Sequence, residues 1–291
     1  VVQIILLLAA GVSLYDAVCH TFSTMSTGGF STYTASAGAF KNVYVEIIII
    51  VFMLLAGANF ALHYQWIHGN FQAAYKNPEM RFYAMFIICA TAITTFGLWK
   101  YMPNNDFLSA LRKASFQVVT LNTTTGFVTD DFNLWPEFLR FLMLLLMIVG
   151  GSSASTSGGL KSIRIIILYK VIGREFQKII RPRGIFLVKV GQKTVDPDQI
   201  SNVVGLATLF LGIFLLSSLL LTFMEMDIVT SISAVLATLF NVGPGLGMVG
   251  ATGSFADVPY WGKWVLIFCM LLGRLEVYGI MLLFLPFTWR K

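Results

Sequence analysis

The sequence predicts an all-α membrane protein that crosses the bilayer several times and repeats one short unit around a central pore. The 291 residues are 57% hydrophobic and only 12% charged, and a mean hydropathy of +0.78 is too high for a water-soluble fold. Apolar stretches long enough to span a membrane alternate with stretches about half as long. A polar, uncharged loop follows each shorter stretch, which indicates an internal repeat.

The three loops are similar in composition. Loop A covers residues 22–30, loop B residues 120–127 and loop C residues 239–247. All three contain glycine, loops A and B are rich in serine and threonine, and none contains a carboxylate or a basic side chain. One such loop is typical of an ordinary surface turn, whereas three in the same context indicate a shared role.

The chain begins with an apolar stretch that is too short to be a span. Residues 1–11 lack an initiator methionine and the basic flank of a signal peptide, so we expect the chain to be the later part of a longer protein. Ser13 and Asp16 match a capping box that opens a helix of about eleven residues, which spans only about half of the hydrocarbon core. After loop A, residues 43–61 are expected to form a full span.

The same order of elements recurs around loop B. Residues 82–101 are expected to span the membrane, and Asp106 is expected to cap a short helix that ends at Val119. An apolar segment begins near Pro136, after the loop. The unit is therefore a span, a half-length helix, a polar loop and a second span.

A third copy of the unit surrounds loop C. Residues 203–223 form a predicted span, Asp227 caps a short helix that ends at Phe240, and residues 261–287 are expected to span again. The chain then divides into the end of one repeat at residues 1–62, a repeat with a broken inner span at 80–172, a basic cytoplasmic connection at 173–200 and a last repeat at 201–291.

Basic residues predict the orientation in the membrane. Most lysines and arginines collect on one side if the ends of the second spans lie in the cytoplasm, and the loops then open to the outer side. The acidic residues lean outward, where they either attract cations to an entrance or simply cap helices and keep the surface soluble.

The chemistry of the loops favours a monovalent cation. Non-helical backbone at membrane depth persists only where it is buried in protein or lines a wet cavity, because lipid cannot satisfy its polar groups. Rings of backbone carbonyls replace the water shell of such a cation. The short helices are expected to point their C-termini, the negative end of the helix dipole, at the loops.

The loops resemble the second, third and fourth pore loops of the Trk/Ktr/HKT potassium transporters, and they are most similar to those of TrkH-type members. The resemblance covers the whole chain and implies K⁺ uptake across the bacterial inner membrane, with K⁺ as the transported ion. Two departures are the absence of a first repeat and the Val-Gly-Pro of loop C, where the other loops have hydroxyls. The motifs are Ser26-Thr27-Gly28-Gly29-Phe30, Thr124-Thr125-Gly126-Phe127 and Asn241-Val242-Gly243-Pro244-Gly245-Leu246-Gly247.

The resemblance also implies which residues form the ion filter. Its glycines are carried over to Gly28, Gly126 and Gly245. We expect K⁺ contacts at Thr27, Thr125, Asn122 and Asn241. The full expected filter set is Ser26, Thr27, Gly28, Thr124, Thr125, Gly126, Val242, Gly243, Pro244 and Gly245.

A run of glycine and serine interrupts the span that follows loop B. Helix character continues for about fifteen residues, roughly 22 Å, and returns only at Leu160, so we expect the break to lie inside the membrane. It is either a flexible gate under the filter, as the resemblance suggests, or a linker just outside the bilayer; it is not a Walker loop, because Leu160 separates Gly159 from Lys161. The expected gate residues are Gly150, Gly151, Ser152, Ser153, Ser155, Thr156, Ser157, Gly158, Gly159 and Lys161.

Arg274 is a basic residue near the middle of the last predicted span. A charge at that depth usually faces a polar interior, and Glu276 lies on another side of the helix. The resemblance suggests a positive charge in the pore beneath the filter; the alternative is a structural pairing with loop carbonyls or with an acid of another helix.

The basic connection is expected to face anionic lipid. The resemblance adds a docking surface for a nucleotide-binding regulatory ring of the TrkA type, and a homodimer. The main rival function is a secondary transporter whose half-helix N-termini hold a small anionic substrate, although acids already occupy those ends. A membrane enzyme is less favoured, since the cysteines and histidines have no catalytic or metal-binding spacing, and no nucleic-acid partner is expected.

Overall fold

The computed structural model describes residues 1–70, 72–102, 106–275, 277–284 and 289. Helices dominate this part of the chain. Their bounds are α1 (Val2–Ala9), α2 (Leu14–Met25), α3 (Val43–Gly57), α4 (Phe60–Ile67), α5 (Gln72–Lys76), α6 (Pro78–Tyr101), α7 (Phe107–Asn122), α8 (Glu137–Ile148), α9 (Ser162–Ile180), α10 (Pro197–Phe223), α11 (Ile228–Leu239), α12 (Tyr260–Arg274) and α13 (Tyr278–Phe284).

Short irregular elements connect these helices. Single turns of 3₁₀-helix lie at Ser36–Phe40, Phe132–Leu134, Gly247–Val249 and Phe255–Asp257. A small antiparallel hairpin pairs β1 (Lys189–Val190) with β2 (Lys193–Thr194) in the basic connection.

Two predicted spans are confirmed as single long helices. α6 has 24 residues and α10 has 27, and both are apolar enough to cross a membrane. Each begins at a side-chain cap followed by proline, with Asn77 accepting from the amide of Glu79 and Asp196 from that of Asp198. Proline fits this first turn because its missing N–H would have no helical partner there.

The other two predicted full spans are wrong in their continuity. α3 stops at Gly57, and α4 leaves it at an angle of 103°, because Ala58 is extended and the Asn59 side chain caps α4 by accepting from Ala61 N at 2.9 Å. In the expected span 261–287, α12 ends at Arg274 and a separate helix follows from Tyr278. Glu276 and the residues after Phe284, apart from Trp289, lie outside the described residues.

The three short helices begin where their caps predict. The Ser13 hydroxyl oxygen accepts from Asp16 N at 3.2 Å at the start of α2. Asp106 accepts from Phe107 N at 2.9 Å before α7, and Asp227 accepts from Thr230 N at 3.2 Å before α11. We call α2, α7 and α11 the pore helices.

The pore helices α7 and α11 lie at the centre of the fold. α7 packs against α6, α3 and α8, and α11 packs between α10 and α12. Residues 116–122 of α7 and 233–239 of α11 are all buried, and so are the hydroxyl residues 123–125 that follow α7. Buried hydroxyl and amide side chains are thus mixed with apolar ones at the centre of the molecule, which is unusual for a helical core and indicates a functional site.

Candidate functional site

The three loops have the same backbone conformation. Two residues after the end of each pore helix lies a non-glycine residue in the left-handed region, with φ of +52° at Thr27, +54° at Thr124 and +55° at Asn241. Two residues further on, each loop has a glycine with positive φ. These values are +69° at Gly29, +86° at Gly126 and +108° at Gly243.

The hydrogen bonds that close the helices are equivalent as well. In each loop the left-handed residue donates from its amide to the third carbonyl before it, and the next residue donates to the fifth. The first set joins Thr27 to Thr24, Thr124 to Leu121 and Asn241 to Thr238, each at 3.1 Å. The second joins Gly28 to Ser23 at 2.8 Å, Thr125 to Thr120 at 2.9 Å and Val242 to Ala237 at 2.8 Å. The pore helices thus all present their C-termini to the loops, as the sequence predicts.

This register shows which glycines of the three loops are equivalent in backbone conformation, while the assignment of filter glycines stays a prediction. In loop A, the glycine equivalent to Gly126 is Gly29 and not Gly28. In loop C, it is Gly243 and not Gly245. Gly29 belongs to the loop A motif but not to the expected filter set, because Thr27 is followed by two glycines and the first was chosen. The Gly-Phe pair that ends both loop A and loop B was the available signal.

The loops contact one another directly through their backbones. A Cβ on Gly29 would lie 2.1 Å from the carbonyl oxygen of Thr125, and a Cβ on Gly126 would lie 2.2 Å from that of Val242. Loop A therefore touches loop B, and loop B touches loop C. Glycine is required at both positions, since a side chain would meet a carbonyl as well as an unfavourable φ.

The four side chains expected to contact K⁺ are hydrogen-bonded to protein. Asn122 donates to Val149 O at 2.8 Å, and Asn241 donates to Met270 O at 3.4 Å. The Thr125 hydroxyl pairs with that of Thr123 at 2.9 Å, and Thr27 donates to Thr156 O at 2.8 Å. These contacts fasten the loops to their surroundings, and direct contact of the four side chains with an ion stays a prediction.

The predicted break after loop B is confirmed. α8 ends at Ile148 and α9 begins at Ser162. Val149 and Leu160 form a bridge in which Gly150 N donates to Leu160 O at 2.9 Å and Leu160 N donates to Ile148 O at 3.0 Å. Since its two ends meet there, residues 150–159 project from the helix as a closed loop, which we call the glycine–serine segment.

The glycine–serine segment packs against the C-terminal ends of all three pore helices. Thr156 accepts from the Thr27 hydroxyl at 2.8 Å and donates to Met25 O at 3.1 Å. Gly158 N donates to the Thr124 hydroxyl at 2.5 Å, and a Cβ on Gly158 would lie 2.4 Å from Phe240 O. The segment therefore lies against the loops, and its role as a gate under the filter stays a prediction.

Arg274 contacts the same segment. Its Nη1 donates to Thr156 O at 3.0 Å, and it is the last residue of α12. Lys161 donates to the carbonyls of Ser157 and, at 3.4 Å, of Ser155. Together with Arg164, these two side chains and the segment line a cavity of about 430 Å³. Arg274 therefore makes the expected pairing with a loop carbonyl, and it also borders this cavity.

Asp16, at the N-terminal end of α2, joins that helix to the stretch after loop A. Its carboxylate accepts from the hydroxyls of Thr32 at 2.6 Å, Ser13 at 2.7 Å and Tyr33 at 2.8 Å. These hydrogen bonds, that of Thr32 foremost, hold the pKa of the Asp16 carboxyl below its usual value. The carboxylate thus orients the capping hydroxyl of Ser13 and tethers α2 to Thr32 and Tyr33, which supports a structural role for this acid.

Comparisons with known proteins are consistent with this geometry. A family model described as TrkH, cation transport protein, matches residues 7–291. The Trk system potassium uptake protein TrkH of Halomonas elongata is 40% identical over 98% of this chain, and that of Salmonella typhimurium is 37% identical over 97%. The chain spans 58% of the length of each of these relatives. The crystal structure of the potassium transporter TrkH from Vibrio parahaemolyticus aligns with a TM-score of 0.93 at 35% identity, over 99% of this chain and 62% of that one.

Proposed function

This chain belongs to the TrkH family of cation transport proteins, and on that premise we propose that it forms part of a K⁺ uptake protein of the bacterial cytoplasmic membrane. Potassium is the substrate because relatives named as potassium uptake proteins match nearly all of this chain. A transporter, and not an enzyme, is the activity that this membership supports.

The equivalent backbone of the three loops supports the proposal most strongly. Loops A, B and C each follow the C-terminus of a pore helix, where the partial negative charge of the helix dipole favours a cation. The backbone oxygens at the loop contacts suit a dehydrated monovalent ion, and no loop contributes a carboxylate that would favour a divalent one. We place the filter at residues 26–29, 124–126 and 242–245, with Gly29, Gly126 and Gly243 at equivalent points.

The glycine–serine segment is the proposed gate. It lies against the ends of the pore helices, directly beyond the loops, so an ion that leaves the loops meets it. Arg274 and Lys161 hold it through its carbonyls, and their positive charges also oppose a cation in the cavity. Opening then requires the segment to move away from Thr27 and Thr124.

The rival function is less well supported by the helix ends. A carrier of small anions would use the free N-termini of its half-helices. Here the first turns of the pore helices are capped by Ser13, Asp106 and Asp227. Added carboxylates at these ends disfavour an anionic substrate.

The orientation and the partners are part of the same proposal. The loops open outward and the basic connection of residues 173–200 faces the cytoplasm, in line with the positive-inside rule. There the β1–β2 hairpin and the end of α9 offer a surface for a nucleotide-binding regulatory ring, and the protein acts as a homodimer within the lipid bilayer. The exposed side chains of Phe176 and Leu187 beside this basic surface support a protein contact.

The test is ion flux by the protein produced from its natural gene. In proteoliposomes, K⁺ flux is expected to follow an imposed potential and to exceed Na⁺ flux. Gly126→Ser, which places a side chain against Val242 O, should lower the K⁺/Na⁺ ratio about tenfold, equivalent to about 1.4 kcal/mol of differential binding. Gly212→Ser is the matched control, because nothing lies within 4 Å of its Cβ position. Flux of an anion, or an unchanged ratio in Gly126→Ser, would overturn the proposal.

A further inference from the structure

Glu79 is a buried carboxylate at the start of α6. It is only 5% exposed and lies in the first turn, where an acid usually serves its own helix. Its carboxylate instead reaches across to the glycine–serine segment. Oε1 accepts from Ser153 N at 2.6 Å and Oε2 accepts from the Ser153 hydroxyl at 2.7 Å.

The stretch around Ser153 is fixed by further contacts to the bend between α3 and α4. Ser152 N donates to Gly57 O at 2.9 Å, and Phe60 N donates to Ala154 O at 3.1 Å. Ala154 has a φ of +52°, a conformation that a residue with a Cβ keeps only when its surroundings impose it. Residues 152–154 are thus the anchored part of the segment.

The part that touches the pore helices follows directly. Thr156 is three residues after Ser153, a reach of at most about 10 Å, and Gly158 comes two residues later. The position of Ser153 therefore limits where these two residues can lie. Without the anchor, the segment would be held by the hydrogen bonds of Thr156 and Gly158 to loops A and B and by Arg274 and Lys161.

We propose that Glu79 is the positioning residue of the gate, whose carboxylate keeps the glycine–serine segment in its closed place through Ser153. This role rests on the proposed function and extends it to a residue outside the loops and the segment. Charge-assisted hydrogen bonds from both donors of one residue define position better than a single contact does. Neutralising Glu79 weakens both bonds and shifts the segment toward its released state.

The test compares K⁺ uptake by Glu79→Gln with that of the unchanged protein, both from the natural gene. The maximum rate of K⁺ uptake is expected to rise about tenfold. Loss of one hydrogen bond to a charged group shifts a closed-to-open equilibrium by about that factor. The K⁺ concentration for half-maximal uptake and the K⁺/Na⁺ ratio should not change, because the loops are untouched. Glu137→Gln is the matched control, a first-turn acid of α8 whose side chain is 87% exposed.

A second arm shows whether Glu79 acts through the segment. Deleting residues 152–157 should raise the rate by itself, and Glu79→Gln should then add nothing. An equal further rise in the deleted background would overturn the proposal, as would a Glu79→Gln rate equal to that of Glu137→Gln.

If Glu79→Gln fails to fold, Ser153→Ala decides instead. It removes one donor of the same pair, so it should raise the rate by a smaller factor, and an unchanged rate overturns the proposal. Absence of K⁺ uptake by the unchanged protein would overturn the proposed function itself, and the role of Glu79 with it.

Discussion

At the scale of single residues, glycine is required where one loop meets the next. Gly29 and Gly126 each combine a positive φ with a carbonyl oxygen at the place of a Cβ. The left-handed conformation alone costs a residue with a side chain about 1–2 kcal/mol, and the collision adds to that cost. Gly28 has neither feature. An added Cβ there would have as its nearest neighbours side-chain atoms of Phe30 and Ser26, each at 3.2 Å.

Two neighbouring substitutions therefore have different expected effects. Gly29→Ala should reduce K⁺ uptake about tenfold or more, because a displacement of the Thr125 carbonyl worth 1.4 kcal/mol is already a factor of ten. Gly28→Ala should keep most of the uptake. Rates measured side by side in cells without other K⁺ systems check this, and a more harmful Gly28→Ala would show that the register of loop A is not the one described.

At the scale of elements, the broken helix α8–α9 brings the glycine–serine segment against the ends of three pore helices. Glycine and serine suit that place because the chain turns at residues 153–154 and passes close to other backbone. A Cβ on Gly150 would lie 2.1 Å from Gly158 O, for example. The same composition gives the segment few apolar contacts, so it can move without unfolding its neighbours.

Arg274 at the end of α12 is one of the contacts that hold this segment. Arg274→Ala removes the hydrogen bond to Thr156 O and a positive charge beside the cavity, so K⁺ flux should rise, by about tenfold for one hydrogen bond to a charged group. Lys178→Ala is the control, because Lys178 is on α9, pairs with Glu175 and is 46% exposed. Flux measured in proteoliposomes checks both; a variant that merely loses stability, without higher flux, would show that the contact is structural only.

At the scale of the whole molecule, local signals in the sequence predicted the helix caps, whereas continuity was right for α6 and α10 and wrong for residues 43–61 and 261–287. The caps at Ser13, Asp106 and Asp227 were predictable because each involves residues within one turn. The bend after Gly57 was not, since the run stays largely apolar around it and only Ala58 and the cap Asn59, both extended, separate the two helices. The repeat boundaries stay predictions.

The candidate site was predictable in its parts and not in its assembly. Polar loops without charges indicated a cation site, and the Gly/Ser run indicated a break. The link from Glu79 to Ser153 joins residues 74 positions apart, and an acid after Asn77-Pro78 has the pattern of an ordinary first-turn residue. Contacts of this kind depend on how the repeats pack, which no local pattern contains.

The central claim is that loops A, B and C together bind a dehydrated monovalent cation. Crystals of the protein from its natural gene, exchanged from K⁺ into Tl⁺, would reveal the ion by its anomalous scattering. The account predicts a Tl⁺ peak between the loops, bounded by backbone oxygens near Gly29, Gly126 and Gly243, which weakens when K⁺ is added back. Tl⁺ peaks found only at surface acids such as Asp130 and Asp131, with none between the loops, would contradict it.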